Sequence, residues 1–237
     1  MQTVGVIGGI GPESTIEYYR LLIKEYRARV PEAGYPPVII NSIDLTKVLR
    51  LVGAGELEAL THYLAIEVAR LARAGADFAV LASHTPHIVF EPLRRRSPIP
   101  MISIVEATRE VAYALGLRRV GLFGTRFTMQ EPFYPSAFAE RGIAVVVPGP
   151  DDQAYIHDKY VGELVEGIIV PETRERLLAI AARLLEQERV EAIVLGGTEL
   201  PLILRDAPGS PVPFLDTTAI HVERIVSEML EVFPAGT

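Results

Sequence analysis

The 237-residue chain has no cysteine and no tryptophan. Without thiols there can be no disulfides, no thiolate metal sites and no cysteine nucleophile. Basic charge is also scarce: 23 Lys and Arg stand against 30 Asp and Glu, for a net charge of −7. A general nucleic-acid binder needs clustered cations to neutralise phosphates, so that class is excluded. The one basic cluster, Arg94-Arg95-Arg96, reads as a solvated helix end. No apolar run reaches the roughly 18 residues of a membrane span. The N-terminus lacks a basic region and a cleavage site and goes straight into a strand pattern, so a cytoplasmic protein is expected. No His, Asp and Glu set has metal-ligand spacing, so no metal is expected.

What the chain does have is 49% apolar residues, enough for a full core. It also contains segments that look like copies of one another. Asp77-Phe78-Ala79-Val80-Leu81 lines up with Glu191-Ala192-Ile193-Val194-Leu195, which puts Ser83 opposite Gly197 at an offset of 114. Val4-Gly5-Val6-Ile7-Gly8-Gly9 matches Val120-Gly121-Leu122-Phe123-Gly124-Thr125 at an offset of 116. Pro98-Ile99-Pro100-Met101-Ile102-Ser103 matches Pro211-Val212-Pro213-Phe214-Leu215-Asp216 at 113. Three ordered pairs at nearly constant spacing indicate duplicated halves.

Buried-strand patterns alternate with helical ones. Strand patterns stand at 3–7, 37–41, 79–82, 98–104, 120–124, 144–147, 193–196 and 213–216. A helix begins at Glu13 with apolar Ile16, Tyr19 and Ile23, and another spans 56–75 with Leu57, Leu60, Leu64, Val68 and Leu71. Further helices are expected at 153–167, from Pro171 to about Gln187, and at 218–232, with Asp151-Asp152 capping the first of them. The alternation predicts an α/β protein of two similar Rossmann-like lobes with parallel sheets. The expected division is 1–100 plus 214–237 against 101–213.

Ligands of such sheets bind beyond the carboxyl ends of the strands. Here those ends carry small or hydroxyl residues: Gly8-Gly9, Asn41-Ser42, Ser83-His84-Thr85, Gly124-Thr125 and Gly197-Thr198-Glu199. Gly8-Gly9-Ile10-Gly11-Pro12 before a helix is an anion cradle suited to a carboxylate. The dinucleotide GxGxxG is out of register and the Walker Lys-Ser/Thr is absent. Substrate-binding candidates are therefore Gly9, Gly11, Asn41, Thr85, Thr125 and Thr128. The threonines either bind carboxylates or merely end strands. Glu199 either contacts a substrate ammonium or caps the next helix. His84, beside Ser83 at a strand end, is a candidate base, and His87 a structural or capping group. A Ser83–His84 hydrolase lacks both the Gly-x-Ser-x-Gly elbow and a third orienting acid.

In the Gly-Gly-Ile-Gly-Pro opening, the Ser83-His84-Thr85-Pro86-His87 segment and the Gly196-Gly197-Thr198-Glu199 segment, the chain resembles the aspartate/glutamate racemase family. The resemblance covers nearly the whole length. It implies two α/β lobes with the active site in the cleft between them. It also implies cofactor-independent racemisation of a small amino acid such as aspartate or glutamate, and a homodimer. A basic residue across the cleft, Lys159 or His157, is implied as well. In the family two cysteines exchange the Cα proton. They correspond to Ser83, with Asn after it where this chain has His84, and to Gly197. The implied catalytic positions are thus Ser83, His84, Gly197, Thr198 and Glu199. Three readings follow: Ser83 is an engineered change, other groups transfer the proton, or the chain is a non-racemising member that binds an amino or dicarboxylic acid or acts as a lyase or isomerase in another reaction.

Overall fold

The computed structural model describes residues 1–32, 34–205, 210 and 212–231. Two units emerge: Met1–Ser103 with His221–Thr237, and Ile104–Ile220.

The first unit contains β1 (Val4–Gly8), α1 (Pro12–Arg29), β2 (Val38–Ser42), α2 (Leu45–Gly53), α3 (Leu57–Arg73), β3 (Phe78–Leu81), a 3-10 turn (Thr85–Val89), α4 (Phe90–Arg96) and β4 (Met101–Ile102). Its four strands are parallel in the order β2-β1-β3-β4. β1 and β3 are buried along their whole length, which is why they read as unbroken apolar runs rather than alternating ones. Gly5 in β1 is small for a packing reason: a Cβ there would stand 2.9 Å from the Ala76 Cβ and 3.0 Å from a Leu71 methyl.

The second unit contains α5 (Ile104–Ala114), β5 (Arg119–Gly124), α6 (Arg126–Gln130), α7 (Phe133–Ala139), β6 (Ala144–Val146), α8 (Pro150–Gly162), a 3-10 turn (Leu164–Glu166), α9 (Pro171–Glu188), β7 (Ala192–Gly196), α10 (Leu200–Leu204) and β8 (Phe214–Leu215). α11 (Thr217–Leu230) follows, its residues from His221 onward counting with the first unit. The strand order is β6-β5-β7-β8, again all parallel. Both sheets therefore wind in the same sequence, and β1 and β5 hold the same place, as do β3 and β7. Gly121 repeats the packing of Gly5, its absent Cβ lying 3.1 Å from a Leu184 methyl and 2.4 Å from one of Ile193.

Several elements differ from the sequence pattern. β4 pairs with β3 and β8 with β7, so residues 101–102 belong to the first sheet and 214–215 to the second. Chain boundaries placed at 100/101 and 213/214 cut these edge strands from their partners. On α1 the buried residues are Ser14, Thr15, Glu17, Tyr18, Leu22 and Tyr26, whereas Ile16 is 50% and Tyr19 47% exposed. The buried tyrosine Tyr18 finds a hydrogen-bond partner inside, which the Ile16–Tyr19–Ile23 stripe does not offer. The helix expected over 153–167 starts at Pro150 and stops at Gly162. Glu163 leaves the helical region and Gly167 closes the following turn at φ 71°. Asp151 and Asp152 sit in its first turn beyond the Gly149 N-cap, with no side-chain capping bond, and Asp152 accepts from Arg183 at 2.5 Å. The short helices α4, α6, α7 and α10 carry too few turns to show a period, whereas α2 buries Val48, Leu51 and Val52 at helical spacing. Pro211 of the third repeat pair and residue 232 of the expected last helix lie outside the described residues. No helix among the described residues is long and apolar enough to cross a membrane, and no group of three or more His, Asp or Glu among them is placed to hold a metal ion.

Candidate active site: two strand-end segments

In the first unit the chain leaves β1 through Gly8 and Gly9. A Cβ on Gly8 would meet the Thr15 side chain at 2.5 Å, so α1 starts against bare backbone. Gly9 adopts φ 78° and Gly11 φ 53°, a left-handed conformation that favours glycine. The Gly9 N–H donates to Thr15 Oγ1 (2.8 Å), and that hydroxyl donates to the Gly11 carbonyl (3.1 Å). Ser14 Oγ also donates to Gly11 O (2.8 Å). The glycine loop is thus braced by the first turn of α1, and the Gly9 N–H expected for a ligand is taken up within it. Asn41 stands at the end of β2, in register with Ile7. Its amide donates to Glu67 Oε2 on α3 (2.8 Å), so it ties the strand to the helix.

Beyond β3 come Ser83, His84 and Thr85, which are 7%, 3% and 8% exposed. His84 precedes the 3-10 turn, and its carbonyl accepts from the His87 N–H (2.8 Å). The His87 Nδ1–H donates to Ser83 O (3.0 Å), while its ring stacks on Phe90 at 4.7 Å. Its Nε2 is buried without a hydrogen-bond partner among the described residues. His221, fully buried, accepts from the Tyr18 hydroxyl at Nδ1 (2.8 Å) and donates from Nε2 to Ile102 O (3.2 Å). That pairing fixes the neutral tautomer. Burial drives the His87 and His221 pKa down to about 3. Burial, helped by the other two imidazoles, holds His84 well below the usual histidine range. His84 is therefore a weak base near neutrality. Ser83 and Thr85 carry the hydroxyls of this segment.

In the second unit Thr125 caps α6. Its Oγ1 accepts from Thr128 N (3.3 Å) and lies 3.2 Å from Thr128 Oγ1. Thr128 is completely buried under β5 and β7, where Gly124 and Gly196 leave room for it: a Cβ on either would come within 3.0 Å of its side chain. Lys159, half-buried on α8, pairs with Glu163 just past the end of that helix. His157 accepts from the Arg126 N–H (3.3 Å), and burial lowers its pKa.

The residue of α8 that reaches the end of β7 is Tyr160. Its ring lies in the space a side chain on Gly197 would use: a Cβ there would stand 2.4 Å from Cε2, 3.0 Å from Cζ and 3.1 Å from the phenol oxygen. The Tyr160 hydroxyl donates a short hydrogen bond to Glu199 Oε2, and Thr198 Oγ1 donates to the same oxygen at 2.8 Å. Thr198 and Glu199 are 3% and 2% exposed. Burial first, and the Glu199 charge second, push the phenol pKa well above 10. Glu199 precedes α10 but makes no side-chain capping bond. Sequence reasoning missed Tyr160. The available signal was the Ile156–Tyr160–Leu164 spacing, which marks the inward face of α8, together with a glycine that leaves a hole at residue 197.

Two parallel sheets of one winding order, with Ser83 and Thr85 after the third strand of one and Thr198 and Glu199 after the third strand of the other, reproduce the architecture of one enzyme family. The sequence profile of Asp/Glu/Hydantoin racemases matches residues 7–225. The chain belongs to that family. It is 26% identical over 235 residues to the broad specificity amino-acid racemase RacX of Bacillus subtilis (strain 168), a match that covers 96% of this chain and 98% of that protein. The crystal structure of an Asp/Glu racemase assigned in Yersinia pestis superposes with a TM-score of 0.89 at 30% identity, covering 98% of this chain and all of that one. An aspartate racemase homologue from Pyrococcus horikoshii OT3 gives 0.85 at 32% identity, with the same coverage. Within this family fold the chain presents Ser83 and Gly197 just beyond the ends of β3 and β7, and a phenol–carboxylate–hydroxyl cluster fills the space beside Gly197.

Proposed function

We propose that this protein is a cofactor-independent amino-acid racemase that moves the Cα proton of a small amino acid, with aspartate and glutamate the first candidates. Removal of that proton leaves an electron pair on Cα that must be stabilised through the adjacent carboxylate. Backbone N–H groups and the Thr85 and Thr125 hydroxyls at the strand ends are donors suited to that task. The observation that carries the reading is the buried Tyr160–Glu199–Thr198 cluster beside Gly197. A carboxylate taken this far from water and held by two hydroxyls is a proton-handling group rather than a fold staple. Ser83 is the corresponding group of the first unit. The exposed Ile16 and Tyr19 of α1 support a homodimer, to be checked by light scattering of the purified chain.

The test is Cα–H exchange in deuterated water. The full chain is incubated with L- and D-aspartate, L- and D-glutamate and a panel of neutral amino acids. NMR follows loss of Cα–H and chromatography follows chirality. Deuterium uptake with inversion is the expected result. A second reading, a family member that binds an amino or dicarboxylic acid without racemising it, is favoured by the absence of any side chain at Gly197. Saturable binding with no exchange would establish it and overturn racemisation.

A further inference from the structure

The geometry points to Tyr160 and Glu199 as a two-residue proton relay, with the phenol oxygen standing in for the side chain that Gly197 lacks. The inference rests on the racemase reading above and deepens it. In the relay the phenol oxygen takes the proton from substrate Cα while its own O–H proton passes to Glu199 Oε2. One C–H and one O–H bond break, and a new phenol O–H and a carboxylic O–H form. The electron pair of the C–H bond stays with the substrate. The reverse sequence returns a proton to Cα, with the phenol donating and Glu199 re-protonating it.

Four observations support this assignment. The phenol oxygen lies 3.1 Å from where a Cβ on Gly197 would be, so it occupies the reach of a residue-197 side chain at the β7 end. The phenol is already hydrogen-bonded to the carboxylate that would accept its proton. Thr198 donates to the same Oε2, which holds that oxygen in place and steadies its negative charge. Tyr160 and Ser83, the groups assigned to the two units, are each 7% exposed. A free phenolate beside an ionised Glu199 is ruled out electrostatically, since burial and that charge hold the phenol protonated far past neutrality. A relay in which the phenol never carries charge avoids this cost. Lys159, the neighbouring residue, is engaged with Glu163 and takes no part.

Tyr160→Phe keeps the ring that packs against Gly197 and removes only the oxygen. In the exchange assay it is expected to slow both deuterium uptake and inversion by at least about 100-fold, with kcat falling far more than KM rises, while the protein stays folded with a melting temperature lowered by loss of the bond to buried Glu199. Glu199→Gln is expected to do the same. Gly197→Cys alone is expected to disturb the fold, because its Cβ meets the ring. The Tyr160→Ala/Gly197→Cys double variant places a thiol in the vacated space and is expected to exchange faster than Tyr160→Ala. Exchange by Tyr160→Phe within about threefold of the unaltered protein would overturn the relay and leave racemisation standing. A double variant no faster than Tyr160→Ala would overturn the claim that phenol and residue 197 share one place. Absence of exchange in the unaltered protein with every amino acid would overturn the racemase reading and the relay together. That failure shows in the wild-type trace before any variant is compared.

Discussion

Lowering the pH from 6.5 to 5 should cost this protein a large part of its stability, because three histidines are buried in its first unit. His87 and His221 have folded pKa values of about 3, against 6.5 for an ordinary histidine, and His84 is shifted the same way. Above pH 6.5 the imidazoles are neutral in both folded and unfolded chains, and the shift contributes nothing. Below it the unfolded chain binds protons that the folded chain refuses. Stability therefore falls with falling pH, and the loss continues until about pH 3. Each pH unit is worth about 1.4 kcal/mol per histidine, so between pH 6.5 and 5 each contributes about 2 kcal/mol. His87 and His221 together give about 4 kcal/mol, against a total of about 5–15 kcal/mol for a typical folded domain. His84 and the partly buried His157 act in the same direction. The carboxylates held below their usual range, among them Glu110, Glu163 and Glu191, lose their contribution only at lower pH, so this window belongs to the histidines. Urea unfolding followed by circular dichroism at pH 7, 6, 5.5 and 5, at fixed ionic strength, measures the slope. His221→Asn cannot titrate in this range. It should be less stable at pH 7, where it loses the bonds to Tyr18 and Ile102, yet show a slope shallower by about 1.4 kcal/mol per pH unit. Unfolding free energies at pH 7 and 5 that agree within about 1 kcal/mol would refute the argument. So would an unchanged slope in the variant.

Gly197→Ala should destabilise by about 1–3 kcal/mol in thermal or urea melts, since its Cβ would stand 2.4 Å from the Tyr160 ring. Pairing it with Tyr160→Leu should recover part of that loss, whereas Tyr160→Phe should not, because a ring carbon makes the clash. Gly9→Ala should cost at least about 2 kcal/mol by the same melts: it adds a left-handed φ of 78° to a clash with the rigid Ile43 carbonyl at 2.5 Å. Gly34→Ala, also at positive φ but with open space around its Cβ, should cost only the conformational strain of about 1–2 kcal/mol. Asn41→Ala should lower stability by about 1 kcal/mol through loss of the bond to Glu67, and hydrogen exchange near the end of β2 should rise.

The sequence by itself determined the sheet strands, the doubling of the fold and the identity of the strand-end segments. Buried parallel strands must be apolar on both faces, so 4–7, 78–81, 120–123 and 192–195 stand out with no knowledge of their partners. Helices of four or five turns, such as α3 and α9, show their period for a similar reason. Ser83 and Gly197 could be matched from local text alone, because a duplicated unit repeats its strand and its turn together. Short helices escaped notice, since one or two turns bury too few residues to leave a pattern. The edge strands β4 and β8 are two residues each, too short to carry a record of which strand they pair with.

Which face of α1 turns inward was decided by Tyr18 meeting His221, some 203 residues away. The role of Tyr160 was decided by tertiary packing in the same way. On the page Gly197 looks like the loss of a functional group. In space that gap is filled by a phenol from a helix 37 residues earlier, already bonded to Glu199. The vacancy is written in the sequence as a single glycine. Its occupant is set by how α8 packs against the end of β7, a contact between residues that no local pattern links.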